Sequence, residues 1–212
     1  QRIRAILVAH FFGLPQHLSP VRQWCDKHGV RLIEDCAHAL FGGTDGRPIG
    51  TWGDLAIASL TKFLPVPEGG CLVTNMELQN APELLAPSLM QEIKSTFDIF
   101  HTSSNHRRLR GFGGLIRSFH ALAGGLRPRR KQTDTKPPGN ATAAVLDFDA
   151  RQAHDSLTFA SRWVAHHAPR ERIVASRRRH YAYLAQALDG LKCMRPLRPE
   201  LPDDCAPYVF PL

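Results

Sequence analysis

Residues 5–35, AILVAHFFGLPQHLSPVRQWCDKHGVRLIED, decide the fold. Ala5-Ile-Leu-Val-Ala-His10 is a short apolar run of the kind a strand shows when both its faces are covered. Ser19-Pro20 then reads as a helix start, serine as N-cap and proline at the first helical position. Val21, Trp24 and Cys25 share one face at helical spacing, and Gly29 is the stop. Val30-Arg-Leu-Ile-Glu34 is the next strand, and right-handed crossover makes it parallel to the first. This is a βαβ unit, so the chain is read as α/β with a mainly parallel sheet.

Further along, Gly42-Gly43, Asp45-Gly46 and Pro48 mark a turn-rich connection. Leu55-Ala-Ile-Ala-Ser-Leu60 is a third apolar strand with Lys62 just beyond its end. Gly69-Gly70 turns the chain into a fourth, Cys71-Leu-Val-Thr74. After residue 76 the texture changes to helices and loops. Helical stretches in 81–122 are broken by Gly111, Gly113 and Gly114. Arg127 to Asn140, RPRRKQTDTKPPGN, is basic and proline-bearing without apolar periodicity, an exposed flexible connector. Residues 150–190 read as helical up to Asp189-Gly190, and Tyr208-Val-Phe-Pro-Leu212 as the start of another strand. Three segments are expected: 1–126, a partial large domain; 127–140, the connector; and 141–212, a helical part of a smaller domain.

The 212 residues suffice for one substantial core, and 43% hydrophobic with 22% charged residues is ordinary for a soluble globular protein. No apolar run approaches the roughly 18 residues that span a bilayer, and no signal peptide is apparent, so no membrane partner is expected. The chain enters a strand-like run within its first residues, as a fragment without its natural start would. Five cysteines at wide, irregular spacing form no CxxC pair or disulfide framework, which suits a reducing cytoplasm. Of the net charge of +8, residues 1–83 carry −1 and residues 84–212 carry +9. Such a field attracts phosphorylated ligands or nucleic acid without specifying either. Few aromatics interleave the basic run and no helix-turn-helix or zinc-finger pattern occurs, so nucleic acid is the weaker reading.

Two residues carry the chemistry. Asp35 stands at the carboxyl end of a parallel strand, where α/β sheets bind ligands, and a carboxylate there needs a cation or donors. Capping a helix is its plainer role. Lys62, between an apolar strand and Phe63-Leu64, is the most apolar-flanked of the seven Lys/Arg in residues 1–83. It is either a lysine snorkelling to solvent or an amine held for covalent catalysis. A lysine and a carboxylate at neighbouring strand ends suit pyridoxal phosphate: the lysine takes the aldehyde as a Schiff base, and the acid keeps the ring nitrogen protonated. His38 is close enough in sequence to share the pocket, and the Ser59 hydroxyl is available to a phosphate. Asp35-x-x-His38 has no further ligands at matching spacing, so no metal is expected. No P-loop and no Gly-x-Gly-x-x-Gly follows the first strand.

These residues together resemble the DegT/StrS-type sugar aminotransferases, pyridoxal-phosphate enzymes of fold type I. The resemblance lies in His10-Phe-Phe-Gly13-Leu-Pro15, in His28-Gly29 through Glu34-Asp35-Cys-Ala37-His38, and in Ile49-Gly50-Thr-Trp-Gly53-Asp54 through Ser59 and Lys62. Glu68-Gly69-Gly70 and Val73-Thr74-Asn75 close the block. Ser176-Arg-Arg-Arg-His180-Tyr181 and Pro207-Tyr208-Val-Phe-Pro211 resemble parts of the family's smaller domain.

The resemblance implies a three-layer α/β/α, aspartate-aminotransferase-like large domain with a mainly parallel mixed sheet. It implies pyridoxal 5'-phosphate as cofactor, with Asp35 at the ring nitrogen, His38 against the ring and its phenolic oxygen, Lys62 as the catalytic amine and Ser59 at the phosphate. The family pattern separates serine and lysine by more positions than the three found here. Family members carry a long segment ahead of this start, with a Gly-Thr/Ser turn at a helix N-terminus that cradles the phosphate. The sister branch that performs dehydration has histidine where Lys62 stands, so the expected reaction is transamination. Glutamate or glutamine is the expected donor, a nucleotide-linked keto-sugar the acceptor, and a homodimer the assembly of the full-length parent. The alternatives are a catalytically inactive or regulatory member of the same fold and, more remotely, a nucleic-acid-binding protein.

Overall fold

The structure is a computed structural model describing residues 2–78, 83–105, 154–191, 193 and 195–212. It has two compact units, one of Gln1–Ala81 with Ser161–Leu212, the other Pro82–Ala160. The segment boundaries expected at 126/127 and 140/141, the connector, and the glycine-broken stretch near 111–114 lie outside the described residues.

The first unit is built on a four-stranded sheet of order β1-β2-β5-β6. β1 (Ala5–Ala9) pairs in parallel with β2 (Arg31–Cys36), and β2 in parallel with β5 (Leu55–Ser59). β6 (Gly70–Thr74) returns antiparallel to β5 through the Gly69-Gly70 turn. The sheet is therefore mixed and mainly parallel, as the sequence implies. Between β1 and β2 runs α1 (Ser19–His28), which ends at Gly29 in the left-handed conformation at φ 61°. Cys25, Val30 and Leu32 pack with Ile6, Val8 and Val21 beneath it. These strand residues alternate onto one face of the sheet.

The cap of α1 differs from expectation. Ser19 is the first helical residue, and its side chain makes no capping bond. Instead the Asp45 carboxylate accepts both the Leu18 and the Ser19 N–H at 2.9 Å. Asp45-Gly46 is the two-residue turn of a hairpin joining β3 (Gly43–Thr44) to β4 (Arg47–Pro48). Both turn residues have positive φ, 51° and 76°, the primed-turn geometry that Asp-Gly favours. The hairpin thus places an acceptor at two orphan donors of a helix distant in sequence. Asp54, just before β5, binds the Arg22 and Arg31 guanidiniums at 3.0 and 2.9 Å and tethers α1 to the sheet.

The C-terminal part of this unit holds most of α3 (Phe159–His167), then α4 (Arg170–Ala187) and an irregular tail. Residues 208–212 form no strand, contrary to the sequence reading. Their backbone is satisfied elsewhere: the Tyr208 N–H donates to Phe12 O at 2.8 Å, and Pro211 O accepts from Leu197 N at 3.0 Å. Gly13 makes this contact possible. A Cβ there would lie 2.3 Å from Tyr208 N, and its φ of 79° already favours glycine.

In the second unit α2 (Leu89–Asn105) is tied to the segment before α3. The Thr158 hydroxyl donates to Ser95 Oγ at 2.8 Å, and the Gln91 amide to Asp155 at 2.7 Å. The Glu92 carboxylate accepts the Phe159 N–H. No described helix is long and apolar enough to cross a membrane.

Candidate active site

Glu34 and Asp35 are adjacent in β2 and therefore face opposite sides of the sheet. Glu34 is fully buried, and each of its oxygens accepts two hydrogen bonds. Oε1 takes the Trp52 and Gly53 N–H at 2.7 and 2.6 Å. Oε2 takes the Gly50 N–H at 2.8 Å and His10 Nε2 at 3.2 Å. Burial pushes the carboxyl up, but the His10 bond and the three backbone donors outweigh it and hold Glu34 below the usual carboxylate range. Glu34 thus shapes the 50–53 turn that delivers β5, and this structural role was not read from the sequence.

Its neighbourhood has the composition of a metal site. Ligand atoms of His10, Glu34 and Cys36 lie within 4.8 Å of one another. Their lone pairs are committed, however. His10 Nδ1 accepts the Gln16 N–H at 3.0 Å, which leaves Nε2 protonated and donating to Glu34. Burial, with the nearby Glu34 and Asp35 carboxylates, pushes the Cys36 thiol up to about 12. The cluster is a hydrogen-bonded core.

Asp35 lies on the other face, in register with Ala9 on β1 and Ile57 on β5. It is half-buried, and its Oδ1 accepts the Ala37 N–H at 2.9 Å. Among the described residues nothing donates to Oδ2. His38 follows in the turn after β2, half-buried, its ring 5.1 Å from that of Tyr208. Burial lowers the His38 pKa, the Lys62 charge lowers it further, and Asp35 opposes both. The imidazole is therefore neutral at pH 7. His38 and Lys62 flank one ring, that of Tyr208, and Asp35 precedes His38 by three residues at the end of β2.

Lys62 sits in the turn leaving β5, where the Phe63 and Leu64 N–H both donate to Leu60 O, at 3.1 and 2.8 Å. Phe63, Leu64 and Val66 are buried against Leu40, Phe41, Val164 and Ile173, which anchors the turn while the lysine itself stays half-buried. Its Nζ lies 6.0 Å from the Tyr208 ring centroid. Ser59, at the end of β5, has its hydroxyl 3.1 Å from that of Thr61.

Pyridoxal phosphate needs an acid for its ring nitrogen, an amine for its aldehyde and a ring face. Asp35 with an uncommitted oxygen, Lys62 and neutral His38 match that set. Toward the phosphate, the four sequence-picked residues offer the Ser59 hydroxyl alone.

Comparison with known proteins points the same way. Residues 1–94, which contain all four of these residues, match the model of the DegT/DnrJ/EryC1/StrS aminotransferase family. The chain is similar to the GDP-perosamine synthase of Vibrio cholerae, 34% identical over 80 residues that make up 37% of this chain and 22% of that protein. It is also similar to the L-glutamine:scyllo-inosose aminotransferase of Streptomyces griseus, 42% identical over 77 residues, 35% of this chain and 18% of that one. The chain thus spans about a fifth of the length of these relatives. Over 98% of this chain and 44% of theirs, two solved structures share the fold: PseC of Helicobacter pylori, TM-score 0.53 at 16% identity, and TlmJ of Streptoalloteichus hindustanus, 0.50 at 20%. Residues 1–94, a little under half of the chain, are thus similar to the DegT/DnrJ/EryC1/StrS aminotransferase family, whose enzymes depend on pyridoxal 5'-phosphate.

Proposed function

We propose that this chain carries the lysine-bearing part of the pyridoxal-phosphate site of a sugar aminotransferase. The placement of His38 and Lys62 beside one ring, that of Tyr208 at 5.1 and 6.0 Å, with Asp35 three residues before His38 at the end of β2, carries the reading. When bound, the cofactor supplies an electron sink that lets an amino group leave one carbon and join another.

The chain's own residues have separate tasks. The Lys62 amine would hold the cofactor through its aldehyde and, when free, would serve as the base that takes up and returns a proton at the reacting carbon. The Asp35 carboxylate would hold the ring nitrogen and favour its protonated form. The His38 ring would lie against the cofactor ring and could offer a nitrogen to its phenolic oxygen. Ser59 donates its hydroxyl to the phosphate. Glutamate or glutamine is the donor, and a nucleotide-linked keto-sugar the acceptor. The relatives' names support this reading in part: GDP-perosamine synthase names a nucleotide-linked sugar, and L-glutamine:scyllo-inosose aminotransferase names the glutamine donor, with a cyclitol ketone that carries no nucleotide as its acceptor. The working assembly is a homodimer, and the cytoplasm its location.

The donor half-reaction tests this reading and separates it from the inactive-member alternative. The chain is mixed with pyridoxal phosphate and either glutamate or glutamine, without acceptor, and the 2-oxo acid is quantified. One equivalent per bound cofactor, lost in Lys62→Ala, is expected. Cofactor binding with no 2-oxo acid from either donor would refute the catalytic reading.

A further inference from the structure

The side chains that hold Lys62 in place come from the far end of the chain. Arg177, on α4, is half-buried, and all three of its hydrogen bonds go to carbonyl oxygens. Nη2 donates to Lys62 O at 2.9 Å, while Nη1 donates to Pro207 O and Tyr208 O, each at 3.2 Å. The same guanidinium lies 4.5 Å from the Phe63 ring centroid and 5.7 Å from that of Tyr208. One planar fork thereby joins the turn that carries the lysine to the segment that carries the tyrosine. The Tyr208 ring in turn lies beside the His38 ring, at 5.1 Å, and beside Lys62 Nζ, at 6.0 Å.

We propose that Arg177 is a positioning residue for the Lys62 amine, acting through the Lys62 carbonyl and through Tyr208, whose ring forms the wall against which His38 and Lys62 are set. The proposal rests on the reading of Lys62 and His38 as cofactor residues and deepens it. Both proposed residues lie outside the stretch that matches the family model, residues 1–94. Chemistry dictates the choice of arginine. A lysine presents one compact ammonium, which cannot reach three carbonyls on two segments, whereas a guanidinium can. Tyr208 contributes its ring: the hydroxyl makes none of the contacts named above.

The test uses the full chain without cofactor, so that it stands independently of the functional reading. His38 is followed by proton NMR against pH in wild type and in Arg177→Lys, Tyr208→Leu and Tyr208→Phe, with folding checked by circular dichroism. The charges acting on His38 are Lys62, which lowers its pKa, and Asp35, which raises it, and the Tyr208 ring lies beside it at 5.1 Å. Releasing the ring rehydrates the imidazole, and letting Lys62 swing away removes a positive charge. Both changes move the midpoint up, so Arg177→Lys and Tyr208→Leu should raise it and Tyr208→Phe should leave it in place. Amide exchange of Phe63 and Leu64 should quicken about tenfold or more in Arg177→Lys, the effect of losing one charge-assisted hydrogen bond. Should Arg177→Lys fail to fold, Tyr208→Leu decides alone. An unmoved His38 midpoint in folded Tyr208→Leu, or in folded Arg177→Lys with unchanged exchange, overturns the proposal. A wild-type chain that never bonds pyridoxal phosphate at Lys62 would instead sink the functional reading and leave the His38 result standing.

Discussion

Glu34→Gln and Asp35→Asn remove the same charge from neighbouring residues, yet they should have unlike effects. Each Glu34 oxygen accepts two donors. An amide keeps one oxygen and turns an NH2 toward the other pair, which leaves two donors facing a donor. His10 can change tautomer to accept from the amide, but then its Nδ1 no longer accepts the Gln16 N–H. At about 1–3 kcal/mol per buried orphan, the loss is about 4 kcal/mol. That is a large share of the roughly 5–15 kcal/mol by which domains are stable, and corresponds to a fall on the order of 10 °C in Tm. Asp35→Asn can retain an oxygen for its bond from Ala37, and should cost less than about 1 kcal/mol. Urea unfolding followed by circular dichroism measures both. The pH dependence adds a signature. Because Glu34 is depressed in the folded state, its contribution is present above the ordinary carboxylate pKa and is lost as pH falls through the folded value. The gap between wild type and Glu34→Gln should therefore narrow in acid. Equal destabilisation by the two variants, or a gap that does not change with acid, would refute the division of roles between them.

Other outcomes follow from single contacts. Gly13→Ala should destabilise by about 2–4 kcal/mol, since the added Cβ meets Tyr208 N at 2.3 Å and the residue has positive φ; thermal unfolding reads this. In the native chain at pH 8, iodoacetamide should modify the exposed Cys71 and Cys193 and spare the buried Cys25, Cys36 and Cys205. For Cys36, whose pKa is pushed up to about 12, fast labelling without unfolding would contradict the buried placement. Peptide mass mapping distinguishes the five.

Much of the first unit was legible because its signals are local. The apolar runs at 5–10 and 55–60, the helix between Ser19 and Gly29 and the Gly69-Gly70 turn each state their own geometry, and the βαβ rule supplies the parallel pairing. Asp35 and Lys62 were visible as charges at strand ends. What could not be read depends on distant partners. Asp45 looked like a turn residue and caps α1 as well, which only the approach of the hairpin decides. Glu34 looked like half of an acidic pair; the strand alternation that sets it on one face with Leu32 and Cys36 was the available sign of its structural role, and the structure buries all three. Arg177 stands in a run of three arginines that nothing local distinguishes, and its partners are the carbonyls of Lys62, Pro207 and Tyr208. Tyr208 was read as strand because its flanks are apolar, but Phe12 O, beside a glycine that admits close approach, takes its N–H instead.

The central claim is that the amine of Lys62 and the carboxylate of Asp35 serve one cofactor ring. Borohydride reduction of the chain mixed with pyridoxal phosphate, followed by peptide mass mapping, tests it most directly. The account predicts a pyridoxyl adduct concentrated on Lys62 over exposed lysines such as Lys27, with that preference lost in Asp35→Asn. Adducts spread evenly over the surface lysines, or a Lys62 adduct indifferent to Asp35→Asn, would contradict it.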